Sequence, residues 1–235
     1  MINMLPRRHG YEKDLTAIFD NVVLMFRHTE AAVRLCMQAL ASGDEDTAKL
    51  VKPEEKIVDK LERKIQKACL KMLVMQHPLA NDFRQLSAAL KIITDLERIA
   101  DQARDIAALT LEIYNLDKKD TDTPILIARM PEMAEIVLQM VMDCTQAYVG
   151  KDLDLARTIN ETDNKVDNLF EITTQNIIKF IQKSPDNAQC GVKYTMIAKY
   201  LERIGDHAVN IGRWIEFSQT GKRQKKIKAV IPISH

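Results

Sequence analysis

Two acidic pairs are the side chains in this sequence best placed to do chemistry. They lie in nearly identical runs, Leu96-Glu97-Arg98-Ile99-Ala100-Asp101 and Leu201-Glu202-Arg203-Ile204-Gly205-Asp206; from Leu96 to Ile106 against Leu201 to Ile211, seven of eleven positions are the same. The carboxylates of each pair stand four residues apart, so on a helix they share a face about 6 Å from one another. Clustered carboxylates are hard oxygen ligands for Mg, Mn, Ca or iron, and a bound cation would relieve their mutual repulsion. The competing reading is a solvated acidic face with local ion pairs from Arg98 to Asp101, Asp101 to Arg104 and Arg203 to Asp206.

A second acidic spacing lies upstream in each copy, Glu55 with Asp59 and Asp163 with Asp167. If the chain turns near Pro78, Asp59 and Glu97 are each 19 residues from the turn, and Glu55 and Asp101 are each 23. Equal distances in an antiparallel hairpin give equal heights at about 1.5 Å per residue. Counting from Pro185 likewise brings Asp167 near Glu202 and Asp163 near Asp206. Each copy therefore presents two facing pairs. Asp105 extends the first cluster by another turn, whereas Asn210 holds that place in the second and leaves it one carboxylate poorer. His207 stands where the first copy has Gln102; an inter-helix hydrogen bond is the plainer role for it, and metal ligation the other.

Angular position sets the expected depth. At about 100° per residue, Glu97, Asp101 and Asp105 lie about 100°, 140° and 180° from the apolar stripe centred on Leu96, Ala103 and Ala107. They should point outward and make an open site on the bundle surface. The Glu-x-x-His ligand pair of buried di-iron bundles is missing.

The elements that must hold these residues are helices. Helix formers crowd the long segments, Gly and Pro number only seven each, and aromatics are 5% of the chain, so β-branched alternation is scarce. Apolar residues recur at spacings of three and four from Ile18 to Leu40, from Val58 to Met75, and from Phe83 to Ala107. The first run ends at Ser42-Gly43, with Asp44 placed to cap the next helix; the second ends before His77-Pro78; the third fades near Asn115. Pro53 is expected to break or kink the start of the second helix. The pattern repeats over Pro131 to Tyr148, Asp152 to Gln182 and Asn187 to Phe217.

The repeat is a duplication of half the chain. An offset of 108 pairs Asp44-Glu45-Asp46-Thr47-Ala48 with Asp152-Leu153-Asp154-Leu155-Ala156, Cys36 with Cys144, and Val58-Asp59-Lys60-Leu61 with Val166-Asp167-Asn168-Leu169. At the acidic motif the offset is 105, so the first inter-helix connection is three residues longer, a change that a loop absorbs cheaply. We therefore expect an all-α fold of six long helices, a tandem duplication of a three-helix bundle. The halves are 1–117 and 118–235, with the polar stretch from Asp117 to Pro124 between them. Each half is expected to hold its own core.

No apolar run approaches the twenty or so residues of a membrane span, and the first residues lack the apolar stretch of a signal peptide. Cys36, Cys69, Cys144 and Cys190 show no metal or disulfide spacing and read as helix-packed cytosolic thiols. The eleven methionines read as core filler. A net charge of +1 gives no support for nucleic-acid binding. The basic run from Lys222 to Lys228 reads as a solvated tail, with a phospholipid or acidic-partner contact as the alternative. There is no phosphate loop or nucleophile elbow.

The paired Leu-Glu-Arg-Ile-(Ala/Gly)-Asp motifs, the Val-Asp-x-Leu pairs and the duplicated plan, from about Asp14 to Thr220, resemble the PhoU family of phosphate-signalling regulators. The resemblance implies a cytoplasmic negative regulator of phosphate uptake and of the phosphate-starvation response. It implies an adaptor, often a homodimer, between the ATPase subunit of a phosphate ABC transporter and a sensor histidine kinase, PhoR, peripheral at the membrane through its partners. It also implies metal, divalent or trivalent (Fe, Mn or Mg), on Glu55, Asp59, Glu97, Asp101, Asp105, Asp163, Asp167, Glu202 and Asp206. The chain would not be an enzyme. The other readings are a metal-dependent hydrolase or iron oxidase, which the open site disfavours, and a metal-free helical partner protein.

Overall fold

The computed structural model describes residues 10–116 and 129–222. Six long helices account for nearly all of them: α1 (Tyr11–Ser42), α2 (Glu45–Gln76), α3 (Ala80–Leu116), α4 (Met130–Gly150), α5 (Leu153–Lys183) and α6 (Ala188–Thr220), with a single 3-10 turn at Pro185–Asn187 before α6. The expected linker from Asp117 to Pro124 lies outside the described residues, as does the tail beyond Lys222.

The duplication shows in the caps as well as the stripes. Asp44 and Asp152, 108 positions apart, each accept hydrogen bonds from the backbone N–H groups two and three residues on, and so start α2 and α5. The preceding helices end alike, with Gly43 and Lys151 in the left-handed region and their N–H groups returned to Ala39 and Ala147. Pro53 does not break α2, which begins eight residues earlier and runs through it. Pro53 and Lys49 are both exposed, so the Lys49 carbonyl deprived of its helical donor is left facing water.

Each half folds as three antiparallel helices, but the halves do not keep separate cores. One continuous buried cluster includes Met25, Phe26 and Leu96 from the first half and Met140, Leu201 and Ile204 from the second. The most extensive helix contact among the described residues is α3 against α6. It is antiparallel: Arg84 lies beside Gly221, Asp95 meets His207 Nδ1 at 2.8 Å, and Glu112 pairs with Lys193. The first helices of the halves also meet, with the rings of Phe26 and Tyr148 5.1 Å apart and Arg34 Nη2 donating to Met142 Sδ at 3.5 Å. Met75 and Phe83 continue the apolar periodicity yet are 57% and 51% exposed, because the stripe outlasts the core around the α2–α3 turn.

Gly43 is required twice over. Its φ is +68°, and a Cβ there would fall 1.8 Å from a ring carbon of Tyr114. Gly43→Ala should therefore lower stability by at least about 1–2 kcal/mol, the cost of the left-handed backbone alone, with displacement of Tyr114 added; thermal denaturation measures it. Residues 1–117 expressed alone should stay helical but melt without a sharp transition, because the α3 face that packs on α6 is left bare. Circular dichroism during heating checks this, and a cooperative melt would make the half a folding unit.

Candidate functional site

The level matching expected between helices is present. Arg104 Nη1 donates to Glu55 Oε1 at 2.7 Å and to Asp101 Oδ1 at 2.6 Å, so α2 and α3 bring these two carboxylates to one guanidinium. The same guanidinium reaches Asp105 Oδ1 through Nε and Nη2 at 3.2 and 3.0 Å. Burial alone would lower the pKa of Arg104, but the hydrogen bond to Asp105 and the charges of Asp101 and Asp105 more than offset it and raise the pKa. Glu55 is only 6% exposed, and a charge so deep requires such a partner.

One turn away the balance is different. Burial raises the pKa of Glu97, and the negative charges of Asp101, Glu62 and Asp59 raise it further, while Arg98, 3.4 Å away, opposes them. Glu97 and Asp59 are thus near neighbours, as their equal distances from the turn require. Glu62 was not among the expected members; it stands three residues beyond Asp59, on the same face of α2, and that spacing was the available signal.

The side chains of Glu97, Asp101 and Asp105 are 19, 25 and 39% exposed, the order their helical angles demand. The depth differs from the open surface expected. Glu55 and Asp163 are both buried, so each cluster is half sunk between two helices. Angle within one helix does not reveal how far the neighbouring helix overhangs it.

The second cluster has the same frame and different neutralisation. Asp163 Oδ1 packs against α6 where Gly205 has no side chain; a Cβ there would lie 3.2 Å from it. This places Asp163 level with Asp206, as expected. Val209 stands in the position of Arg104, so that guanidinium is absent. Lys199 Nζ instead meets Glu202 Oε2 at 2.6 Å and lies 5.3 Å from the ring of Phe170, the residue at the position of Glu62. Asp167 is exposed and Asn210 half-buried. The Arg98–Asp101 contact expected of a local pair is present at 3.8 Å.

As placed, no three or more His, Cys, Asp or Glu side chains among the described residues are gathered to hold one ion. The donor chemistry suits a hard cation, but the first cluster already contains a guanidinium. A groove of about 350 Å³ between α1 and α2 is lined by Asn21, Lys64, Lys71 and Met72 among others and contains none of the nine carboxylates. The buried thiols are poor nucleophiles: burial raises those of Cys36 and Cys144 and pushes Cys69 up to about 11.

Two outcomes follow from these contacts. Arg104→Met should cost about 2 kcal/mol by stranding buried Glu55, and Glu55→Gln in the same chain should restore most of it; denaturant unfolding of the single and double variants measures both. Glu97 holds its proton more tightly folded than unfolded, so its cost is absent below the unfolded pKa of about 4.3 and grows as pH rises through the folded value. In chelator-treated protein, Glu97→Gln should therefore raise stability by a few tenths of a kcal/mol at neutral pH, with no gain near pH 4.

The PhoU domain model matches the chain twice, over residues 22–110 and 130–215. The phosphate-specific transport system accessory protein PhoU homolog of Borreliella burgdorferi is 33% identical over 187 residues, covering 79% of this chain and 83% of that one. Its counterpart in Clostridium acetobutylicum is 28% identical over 217 residues, covering 92% and 97%. The crystal structure of PhoU from Pseudomonas aeruginosa superposes with a TM-score of 0.84 at 24% identity, over 90% of this chain and all of that one, and so shares its fold. PhoU from Streptococcus pneumoniae gives a TM-score of 0.79 at 21% identity. With its domain matched in both halves and its relatives aligned along most of their length, this chain belongs to the PhoU family.

Proposed function

We propose that this chain is an accessory protein of a phosphate transport system that represses phosphate uptake and the phosphate-starvation response when phosphate is plentiful. The observation that carries the reading is its likeness, along nearly the whole chain, to relatives named as phosphate-specific transport accessory proteins. It acts by contact and not by catalysis, bridging the ATPase subunit of a phosphate ABC transporter and a sensor histidine kinase from the cytoplasmic side, as a homodimer. No helix among the described residues is long and apolar enough to cross a membrane, which suits a protein that meets its membrane partners from outside the bilayer. Long helices with exposed faces on both halves suit the same role.

Metal belongs to this proposal as an expectation about the clusters. Iron, Mn or Mg would be held by Asp59, Glu97 and Asp101 in the first half and by Asp163, Glu202 and Asp206 in the second, after their side chains turn toward one point. In the first half the ion would compete with Arg104 for Asp101. Its chemistry there would be charge neutralisation, giving each acidic groove a defined shape for a partner.

A strain lacking the gene should express alkaline phosphatase in high phosphate, and the wild-type chain should restore repression. A chain neutralised at Glu97, Asp101, Glu202 and Asp206 should fail to restore it. Normal repression by that variant would place signalling on other helix faces; unaltered phosphate control in the deletion strain would overturn the regulatory reading. Elemental analysis should show less bound metal in Glu97→Gln/Asp101→Asn protein than in wild type, with the helical signal unchanged.

A further inference from the structure

The α2–α3 turn exposes five large apolar side chains within fourteen residues: Leu70 at 51%, Val74 at 74%, Met75 at 57%, Leu79 at 69% and Phe83 at 51%. Single exposed apolar residues are ordinary, but a cluster at one end of a helical bundle marks a surface that something covers. Asp14 of α1 is exposed beside it, accepting from Gln76 Nε2 at 3.5 Å and sharing a groove with Lys71 and Met75, but the charges contributed by this end of α2 are all positive. Residues 63–81 contain Arg63, Lys64, Lys67 and Lys71 and no acid.

Helical geometry puts these features together. At about 100° per residue, Arg63, Lys67, Leu70, Lys71 and Val74 fall within an arc of about 100°, and all five are exposed. The buried residues Leu61, Ile65, Cys69 and Met72 occupy the opposite side. Leu79 and Phe83 are one helical turn apart, joined by the Phe83 N–H donating to the Leu79 carbonyl at 2.8 Å. Gly221, where α6 ends, packs beside Arg84. The chain therefore leaves the bundle at this same end, and Arg223, Lys225, Lys226 and Lys228 follow in sequence.

The duplicate half supplies an internal comparison. At the equivalent end, residues 171–186 carry Glu171, Lys179, Lys183 and Asp186, which sum to zero charge. The counterparts of Val74, Leu79 and Phe83 are Gln182, Ser184 and Ala188. The two hairpins share a fold, and one has an apolar, cationic end while the other is neutral, exposing Ile178 and Val192 but carrying polar or small residues at these three positions. Stability of the bundle does not require the difference.

We propose that the α2–α3 turn is a membrane-docking site that inserts Val74, Leu79 and Phe83 among the headgroups of an anionic lipid surface. The basic side chains of α2 lie over the lipid phosphates. Apolar residues in a frame of Lys and Arg match an anionic interface, where shallow burial and electrostatic attraction add. Four Lys and Arg side chains on α2 against Asp14 on α1 leave the frame basic on balance, which favours an anionic surface over a basic one or over a second copy of the same end. The inference does not rest on the phosphate-transport reading.

The test is flotation of the full chain with vesicles of phosphatidylcholine, with or without phosphatidylglycerol. The protein should float with the anionic vesicles only, and less as salt is raised. Val74→Asp/Leu79→Asp should abolish flotation, and Lys67→Gln or Lys71→Gln should each reduce partitioning about fivefold. Ile178→Asp, at the counterpart of Leu70 in the neutral end, should leave it unchanged. These side chains are exposed, so an unaltered melting curve checks that each variant is folded. A chain ending at Lys222 should bind more weakly and still depend on Val74, separating the turn from the tail. Failure of the wild type to float with anionic vesicles overturns the proposal, as does flotation of Val74→Asp/Leu79→Asp at the wild-type level. Light scattering in which that variant converts a dimer to a monomer, with no vesicle binding by the wild type, would assign the patch to a second copy instead.

Discussion

The packing of α3 on α6 is the constraint on which the rest of the molecule depends. These helices are the third of each half, and their antiparallel contact joins two three-helix units into one buried cluster. Once one side of α3 is committed to α6, the side facing α2 must carry the acidic motif, and α6 and α5 repeat that arrangement. Polar pairs cross the seam, Asp95 with His207 and Glu112 with Lys193. Such pairs add little stability when partly exposed, but they set which residues lie opposite each other.

A common frame then holds two clusters with different electrostatics. Burying a carboxylate as deeply as Glu55 is costly unless a donor or cation meets it. Arg104 does so in the first half and ties Asp101 and Asp105 to the same group. At the Asp59, Glu62 and Glu97 end, burial and the neighbouring carboxylates raise the pKa of Glu97 against the opposing charge of Arg98. In the second half Val209 removes the guanidinium, Phe170 removes the counterpart of Glu62, and Lys199 brings a cation to Glu202. The halves carry one motif, but the groups that neutralise its carboxylates have diverged. The ends of the hairpins have diverged as well, from cationic and apolar at the α2–α3 turn to neutral between α5 and α6. Duplication supplied two equivalent frames, and substitutions at buried Val209, half-buried Phe170 and the exposed hairpin ends made them differ.

Much of this was legible in the residues alone. Periodicity located six helices, Asp44 and Asp152 marked two helix starts, and equal distances from the turns placed Glu55 opposite Asp101 and Glu97 near Asp59. Those features depend on local geometry and on a fixed rise per residue, so counting suffices. Pro53 misled because a proline's cost depends on whether the carbonyl it strands can reach water, and Lys49 lies on the exposed face. Met75 and Phe83 misled because an apolar period indicates which side faces the core and says nothing about where the core ends.

The sequence by itself determined the helical elements, their duplication and which carboxylates share a level, since each follows from contacts within a helix or across one short turn. Tertiary structure decided how deep the clusters lie, that Arg104 reaches Glu55 as well as Asp101, and that the halves share a core through α3 and α6. Those outcomes depend on the distance and rotation between helices far apart in the chain. Helical spacing assigns each side chain an angle on its own axis, and only packing decides what stands opposite it.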